Sequence, residues 1–182
     1  FSNNLSDLCE KTGANIDDVV SGMKSDPRIG KKAYLSPGIG FSGGTLGRDL
    51  KVLEKINQDS LGLAPIFGFI HKTNIERKEI IKDKVLKILN DCNGKNIGIL
   101  GLTYKPGTST LRRSLPLEIV NLLIDEKVLV KVYDPKADYS ELRDKPKFTI
   151  ANNIEEVSVD SDILVLFTDW PEFQDCDWLQ IK

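Results

Sequence analysis

The stretch Asn96-Ile-Gly-Ile-Leu-Gly101 decides the fold. It is a short apolar run. Asp91-Cys-Asn-Gly94 breaks the chain before it, and a polar loop, residues 103–113, follows it. An unbroken apolar run of this length, set between breakers, reads as a strand buried on both faces. Forward from it, residues 116–126 carry a helical pattern, with Pro116 acceptable in the first turn. Val128-Leu-Val-Lys-Val-Tyr133 reads as a second strand, ended by Asp134-Pro135. Phe148-Thr-Ile150 is a third, residues 153–157 are helix-like, and Ile163-Leu-Val-Leu-Phe167 is a fourth. Strands alternating with helices predict βαβ units and a parallel sheet. Such crossovers are right-handed, and ligands sit at the strands' C-terminal ends. The fold class is therefore α/β, with a three-layer parallel-sheet domain expected over 94–182.

Backward from the same stretch the grammar changes. Residues 1–91 read as a helical domain. Leu5, Leu8, Cys9 and Thr12 fall at helical spacing, and Gly13 follows as a C-cap. Asn15 is an N-cap for a second helix carrying Ile16, Val19, Val20 and Met23, with Asp17 and Asp18 in its first turn. Residues 27–47 form a long glycine-rich irregular stretch, and loops beyond about 12–15 residues are usually functional or disordered. Helix is expected to resume at Asp49. A long helical pattern then runs from Pro65 to about Leu89, and its charged middle, 72–84, is expected to face solvent.

Composition narrows the classes. The chain has 182 residues, 25 Lys+Arg against 27 Asp+Glu, and a net charge of −2. Mixed charge without a basic footprint argues against a nucleic-acid partner. No apolar run reaches the ~18 residues of a membrane span. Cys9, Cys92 and Cys176 form no CxxC pair, and with a single His they exclude a zinc finger or ribbon, so no metal is expected. A reduced, cytoplasmic setting follows. The chain opens on Phe1 and its only Met is Met23, so it reads as a piece of a longer protein, cut at both ends.

Two segments could carry chemistry. The first is Pro37-Gly-Ile-Gly-Phe-Ser-Gly-Gly-Thr-Leu-Gly-Arg-Asp49. Gly38-x-Gly40-x-x-Gly43 formally matches the dinucleotide fingerprint, but that fingerprint needs a strand before it and a βαβ unit around it. Helices flank it here, so the match is rejected. A flexible linker and a backbone-lined pocket remain. Phe41, Leu46, Arg48 and Asp49 at fixed places among the glycines favour the pocket, where N–H groups can hold a polar ligand. The second segment runs from Gly98-Ile-Leu-Gly101 through Tyr104, Lys105, Thr108, Ser109, Thr110 and Arg112. Its two glycines are a weak dinucleotide signal. A loop with these side chains at a strand's C-terminal end suits phosphate or sugar hydroxyls, or is a solvated basic loop.

Three separated blocks resemble the UDP-glucose/GDP-mannose dehydrogenase family. They are Leu8-Cys-Glu-Lys-Thr-Gly-Ala-Asn-Ile16 with Asp26-Pro-Arg-Ile-Gly30; the glycine loop ending in Arg48-Asp49; and Ile99-Leu-Gly-Leu-Thr-Tyr-Lys105 through Arg112-x-Ser114, Val132-Tyr-Asp-Pro135 and Thr168-Asp-Trp-Pro-Glu-Phe173. The resemblance implies a helical central dimerisation domain over 1–91 and a Rossmann-like UDP-sugar-binding domain over 94–182. It also implies an N-terminal NAD domain outside this chain, a homodimer through the central helices, and two-step NAD-dependent oxidation of a sugar C6 alcohol. The family's catalytic Cys position is held here by Thr45, with Arg48 in place of a Lys and Asp49 retained. A Cys there attacks the aldehyde intermediate; a Thr hydroxyl has no accessible anion without an adjacent base. Asp49 would position a water or accept a proton, or act as N-cap of a helix over 50–57.

The resemblance further assigns substrate contacts to Arg28, which would reach the sugar in a partner subunit's site, to Ser36, Gly38, Gly40, Phe41 and Ser42, and to Tyr104 and Lys105. It assigns cofactor contacts to Thr45, Arg48 and Arg112. The plain alternative for Arg28 is a surface salt bridge with Asp26. Gly44 and Arg113 depart from the family, which carries Ser and often Glu there, and Thr110 stands where many members have Asp. His71 reads as a helix-surface residue. Two functions follow: a divergent nucleotide-sugar 6-dehydrogenase, or a non-catalytic nucleotide-sugar-binding protein on the same scaffold.

Overall fold

The computed structural model describes residues 1–182 apart from 62–64, 91, 180 and 182. It separates into two compact units, Phe1–Gly40 and Phe41–Lys182. The break expected at 91–94 begins on Asp91, which lies outside the described residues.

The first unit holds α1 (Ser2–Thr12) and α2 (Ile16–Ser25). Gly13 ends α1 in the left-handed conformation, φ +75°, with its N–H on the Cys9 carbonyl. That geometry favours a residue without Cβ. Asn15 caps α2, its Oδ1 accepting from the Asp17 N–H at 2.9 Å. Cys9 and Val20 are the buried apolar residues of the two helices. The irregular chain that follows is tied back where the Gly38 N–H donates to Asn3 Oδ1 at 2.7 Å.

The second unit starts with α3 (Thr45–Ile56), continued by one π turn, Asn57–Leu61, and then α4 (Ile66–Leu89). Helix therefore begins four residues before Asp49. The N-cap is Gly44, and Asp49 sits inside the helix, so its expected capping role is overturned. Gly43, at φ +84° with its N–H on the Arg113 carbonyl, closes the turn before it, and helix runs from Thr45 through Gly47 to the buried Leu50.

The parallel sheet is formed by β1 (Asn96–Leu100), β2 (Leu129–Tyr133), β3 (Thr149–Ile150) and β4 (Ile163–Leu166), in the order β3-β2-β1-β4. Register is set by Ile97 opposite Val130 and Ile163, and by Val132 opposite Ile150. The helices between are α5 (Leu115–Asp125), α6 (Ile154–Ser158) and α7 (Pro171–Gln174). Side chains alternate across a strand, so Leu100 and Tyr133 share one face. Leu100 packs there with Val157, Trp170 and Phe173, with Tyr133 against the cluster. Gly98 lies on that face too, and a Cβ on it would run into Leu164, Ser161 and the Val157 carbonyl, so α6 approaches closely. The opposite face carries Ile97, Ile99, Val130 and Val132, all buried, and α5 covers β2 there with Ile119, Val120 and Leu123 fully buried. The three-layer α/β architecture read from 96–101 is what the structure has. Among the described residues, no helix is long and apolar enough to cross a membrane.

The charged middle of α4 faces solvent only in part: Lys72, Glu76, Glu79 and Asp83 are exposed, but one side turns inward. Arg77 is buried, and the Lys82 side chain keeps 15% of its surface. The α4 helix packs along α5, and two lysines bridge the pair: Lys78 to Glu118 at 3.0 Å and Lys82 to Glu126 at 3.2 Å. Lysine stems can cover apolar surface while their ammonium groups reach carboxylates at its edge.

Candidate functional site

The two segments singled out in the sequence meet within the second unit. The Gly43 N–H donates to the Arg113 carbonyl at 3.0 Å, and the Leu115 N–H donates to Ser42 Oγ at 3.0 Å. On the other side, the Asn74 amide of α4 takes the Phe41 N–H at 2.8 Å and gives a hydrogen bond to the Phe41 carbonyl at 2.9 Å. Residues 41–44 are thus bound from two directions, which separates this part of the loop from a flexible linker. A cavity of about 450 Å³ opens between α3, α4 and the start of α5. Ser42, Gly44, Arg48, Asn74 and Arg113 are among the residues that line it.

Thr45 opens α3 and is exposed. Asp49 stands one turn on, with Arg48 against it at 3.2 Å; both side chains are at least half exposed. His71 is half-buried and lines the same cavity, so it is more than a plain surface residue.

The loop after β1 is built on two carboxylates. Asp134, at the C-terminal end of β2, is buried. Its Oδ2 accepts from the Leu102 N–H (2.7 Å), the Thr103 N–H (2.9 Å), the Thr103 hydroxyl (3.0 Å) and the Trp170 indole (3.2 Å). The Thr168 hydroxyl donates to the Thr103 carbonyl. Gly101 carries φ +84°, and a Cβ there would meet the Thr168 backbone. The Asp134-Pro135 and Thr168-Asp-Trp170 motifs therefore hold the strand-end loop in shape. Farther along, Glu141 Oε2 accepts from the Thr110 hydroxyl at 2.8 Å and the Leu111 N–H at 2.7 Å. The Thr110 hydroxyl foremost, then the Leu111 N–H, hold its carboxyl below the ordinary range. Arg112 lies 3.6 Å from Glu141 and is otherwise open to solvent. Ser114 closes the loop, donating to the Leu102 carbonyl at 2.5 Å and capping α5.

Between these anchors, Tyr104 is half-buried and Lys105 is exposed, with the Lys105 ammonium 5.7 Å from the Tyr104 ring centroid. That is a cation–π distance, and it leaves the ammonium's hydrogen-bond donors available. Beside the sheet, burial foremost and then Glu172 push the Tyr133 hydroxyl up to about 12.

Arg28, Ser36, Gly38 and Gly40 belong to the first unit. Arg28 is on Asp26 at 2.6 Å with 88% of its side chain exposed, which is the plain salt bridge weighed above. Gly40 has φ +128°, a conformation suited to glycine.

Sequence reasoning missed Asp134, Glu141 and Asn74 as organisers. Asp134 at a strand end, with an Asp-Trp motif downstream, was a usable signal. Glu141 and Asn74 carry none, because their partners lie 30 and 33 residues away.

Comparison with known proteins gives two family matches. Residues 1–76 match the UDP-glucose/GDP-mannose dehydrogenase family, central domain, and residues 98–182 match that family's UDP binding domain. A UDP-glucose 6-dehydrogenase of Rickettsia felis is 35% identical over 98% of this chain and 40% of its own length. UDP-glucose 6-dehydrogenase TuaD of Bacillus subtilis is 30% identical over 100% of this chain and 40% of its own. The chain thus spans about two-fifths of the curated relatives it matches. A solved UDP-glucose dehydrogenase from Pyrobaculum islandicum superposes with a TM-score of 0.86 at 25% identity, covering 98% of this chain and 41% of that one.

Proposed function

The chain belongs to the UDP-glucose/GDP-mannose dehydrogenase family, and from that premise we propose that the protein carrying it oxidises the C6 alcohol of a nucleotide sugar with NAD. Residues 94–182 would bind the nucleotide, and residues 1–91 would form the dimerising part. The observation that carries the reading is the docking of the glycine loop on the strand-end loop, Gly43 to Arg113 and Leu115 to Ser42. These bonds tie the residues just before Thr45 to the turn just after Arg112, which supports reading the two loops as parts of one site. The match of 98–182 to a UDP binding domain favours uridine as the base.

The residues assigned to the cofactor fit an anionic dinucleotide in part. Arg48 and Arg112 are cations whose carboxylate partners, Asp49 and Glu141, leave most of each guanidinium in solvent. Gly98-Ile-Leu-Gly101 lacks the full fingerprint, so these residues supply one wall of a cofactor site. When bound, NAD accepts the hydride.

The chain's own residues would do the rest. Lys105 would pair with phosphate, and the backbone of Phe41 and Ser42 would hold the sugar. Removing a hydride from a C6 alcohol leaves a proton to be taken up, and Asp49 is the carboxylate beside Thr45 that can accept it. A second oxidation through a thiol adduct is closed, because Thr45 has no thiolate. The product is then the aldehyde, or the acid formed from its hydrate with water positioned by Asp49. Counting NADH per UDP-sugar tests this: one equivalent marks a stop at the aldehyde and two mark passage to the acid. No NADH with any common UDP- or GDP-sugar would overturn the proposal.

Thr45 also favours a second reading, a nucleotide-sugar-binding protein without turnover on the same scaffold. A Thr45→Cys change that creates turnover would support it, and wild-type NADH formation would end it.

The dimer part of the proposal rests on apolar side chains left at the surface of α3 and α4. Val52, Ile56, Ile66 and Phe69 are each 51–58% exposed. Packed together as one patch, these side chains would serve as the subunit interface. Light scattering at micromolar concentration would show twice the chain mass, and a monomer would count against it.

A further inference from the structure

The loop that leads into α5 carries Arg112, and a carboxylate from 29 residues away holds it. Glu141 ends the one-turn 3-10 helix Tyr139–Glu141. That turn is itself fixed. Asp138 Oδ1 accepts from the Ser140 N–H at 3.0 Å and the Ser140 hydroxyl at 2.6 Å, and the Asp138 N–H donates to the Ser109 carbonyl at 2.8 Å. Glu141 then meets three consecutive residues. Its Oε2 accepts from the Thr110 hydroxyl at 2.8 Å, the Leu111 N–H at 2.7 Å and the Arg112 N–H at 3.2 Å. The Glu141 side chain keeps 17% of its surface. A shielded carboxylate oxygen with three donors is a strong anchor, because a hydrogen bond to an ion is stronger than one between neutral groups.

The second oxygen faces Arg112. Oε1 lies 3.6 Å from Nε, and the arginine side chain stays 81% exposed. The ion pairs at Arg28 and Arg48 are different. There the carboxylate of Asp26 or Asp49 takes Nε and a terminal nitrogen together, so one edge of the guanidinium is consumed. At 3.6 Å, Glu141 attracts Arg112 without taking a hydrogen bond from its side chain. The guanidinium keeps its donors, and the backbone that carries it is fixed at the amide of the same residue. Firm support of a weakly engaged cation suits a binding group. Little ordering remains to be done when the ligand arrives, and no existing bond has to break.

We propose that Glu141 is a positioning residue for Arg112, holding the 110–112 backbone and steering the guanidinium so that its fork of donors meets an anionic group of the dinucleotide. The inference rests on the assignment of Arg112 to the cofactor. Glu141 acts through Arg112 and needs no ligand contact of its own. Thr110 takes part from the other side, because its hydroxyl oxygen also accepts from the Arg112 N–H at 3.2 Å. A carboxylate at position 110 could take that same amide two residues on, as Asp side chains do in turns. Beside Glu141, it would set two like charges against each other.

Two measurements test this. In the 182-residue chain, NMR reads the Arg112 Nε–H and the backbone N–H groups of Leu111 and Arg112. All three should shift as Glu141 titrates. In Glu141→Gln that shift should vanish, and the two amides should exchange with water about fivefold faster or more. In the whole protein, calorimetry should show Glu141→Gln binding NAD about fivefold more weakly or worse. UDP affinity should stay unchanged, because Asp134, not Glu141, holds Leu102 and Thr103 ahead of Tyr104 and Lys105. Thr110→Asp should weaken NAD binding on its own and restore it in the Glu141→Gln background, a reversal that a purely structural role does not give. Weakened NAD binding in Glu141→Gln supports the proposal even if the whole protein forms no NADH, which would overturn only the oxidation proposed above. Equal NAD binding in wild type and Glu141→Gln, or loss of NAD and UDP affinity together, overturns the proposal. So does an Nε–H signal that ignores Glu141, or a Thr110→Asp change with the same effect in both backgrounds. A wild type without NAD affinity overturns both readings.

Discussion

The Asp134 carboxylate and the Trp170 indole meet at 3.2 Å, joining the end of β2 to the segment after β4 across the mouth of the sheet. The same oxygen takes both N–H groups of Leu102 and Thr103. One buried charge thus fixes the loop that carries Tyr104 and Lys105, and the polar groups it serves have no route to water. Removing it strands them all.

Asp134→Ala should therefore destabilise the second unit by about 3 kcal/mol, the order expected when several buried donors lose their acceptor. Urea denaturation of wild type and variant measures this. A loss under about 1 kcal/mol would mean that water replaces the carboxylate.

Gly101→Ala is expected to cost more than about 2 kcal/mol, from positive-φ strain together with the collision against the Thr168 backbone. The thermal midpoint should fall by several degrees. Gly107→Ala, also at positive φ but with open space around it, gives the strain without the collision.

Glu141 sets an acid limit on the 110–112 loop. Its folded carboxyl is held below its ordinary range by the Thr110 hydroxyl first, then the Leu111 N–H. The stabilisation is therefore full above the unfolded carboxyl value, about 4.3, and disappears as pH falls through the lower folded value. NMR titration of the Glu141 carboxyl should give a midpoint below that of an unstructured Glu. Glu141→Gln should flatten this part of the stability–pH curve, and an ordinary midpoint in wild type would refute the linkage.

The lysine bridges between α4 and α5 are testable as pairs. Glu126 foremost, with Glu79 and Asp83, raises the Lys82 ammonium above its ordinary value. A double-mutant cycle over Lys82 and Glu126 should give about 0.5–1 kcal/mol of coupling, falling with salt because Glu126 is half exposed. Coupling indistinguishable from zero at low salt would show that α4 and α5 are held by apolar packing alone.

In the whole protein, Thr45→Cys should raise the NADH yield per sugar from one toward two if the reaction stops at the aldehyde. A yield that stays at one would show that the missing thiol is not what stops it.

What the sequence determined by itself was local grammar. Apolar runs at 96–101, 128–133 and 163–167, separated by helical patterns, specify a parallel sheet, in which the central β1 is buried along its length while β4 leaves Leu164 and Leu166 exposed. Gly13 and Asn15 announced their caps, since each acts on groups within a few residues. The family was also legible, because its motifs are short and ordered along the chain. What only the tertiary structure decided were relations across 30 residues or more: Glu141 reaching Leu111, Asn74 holding Phe41, and lysines of the charged α4 stretch turned toward α5. The start of α3 at Thr45 rather than Asp49 belongs with them, since glycine at 44 is compatible with either, and the Gly43–Arg113 hydrogen bond ties down the turn before it. Sequence periodicity reports which face of an element is apolar. It does not report which distant polar group will be brought against it, and in this protein those groups shape the site.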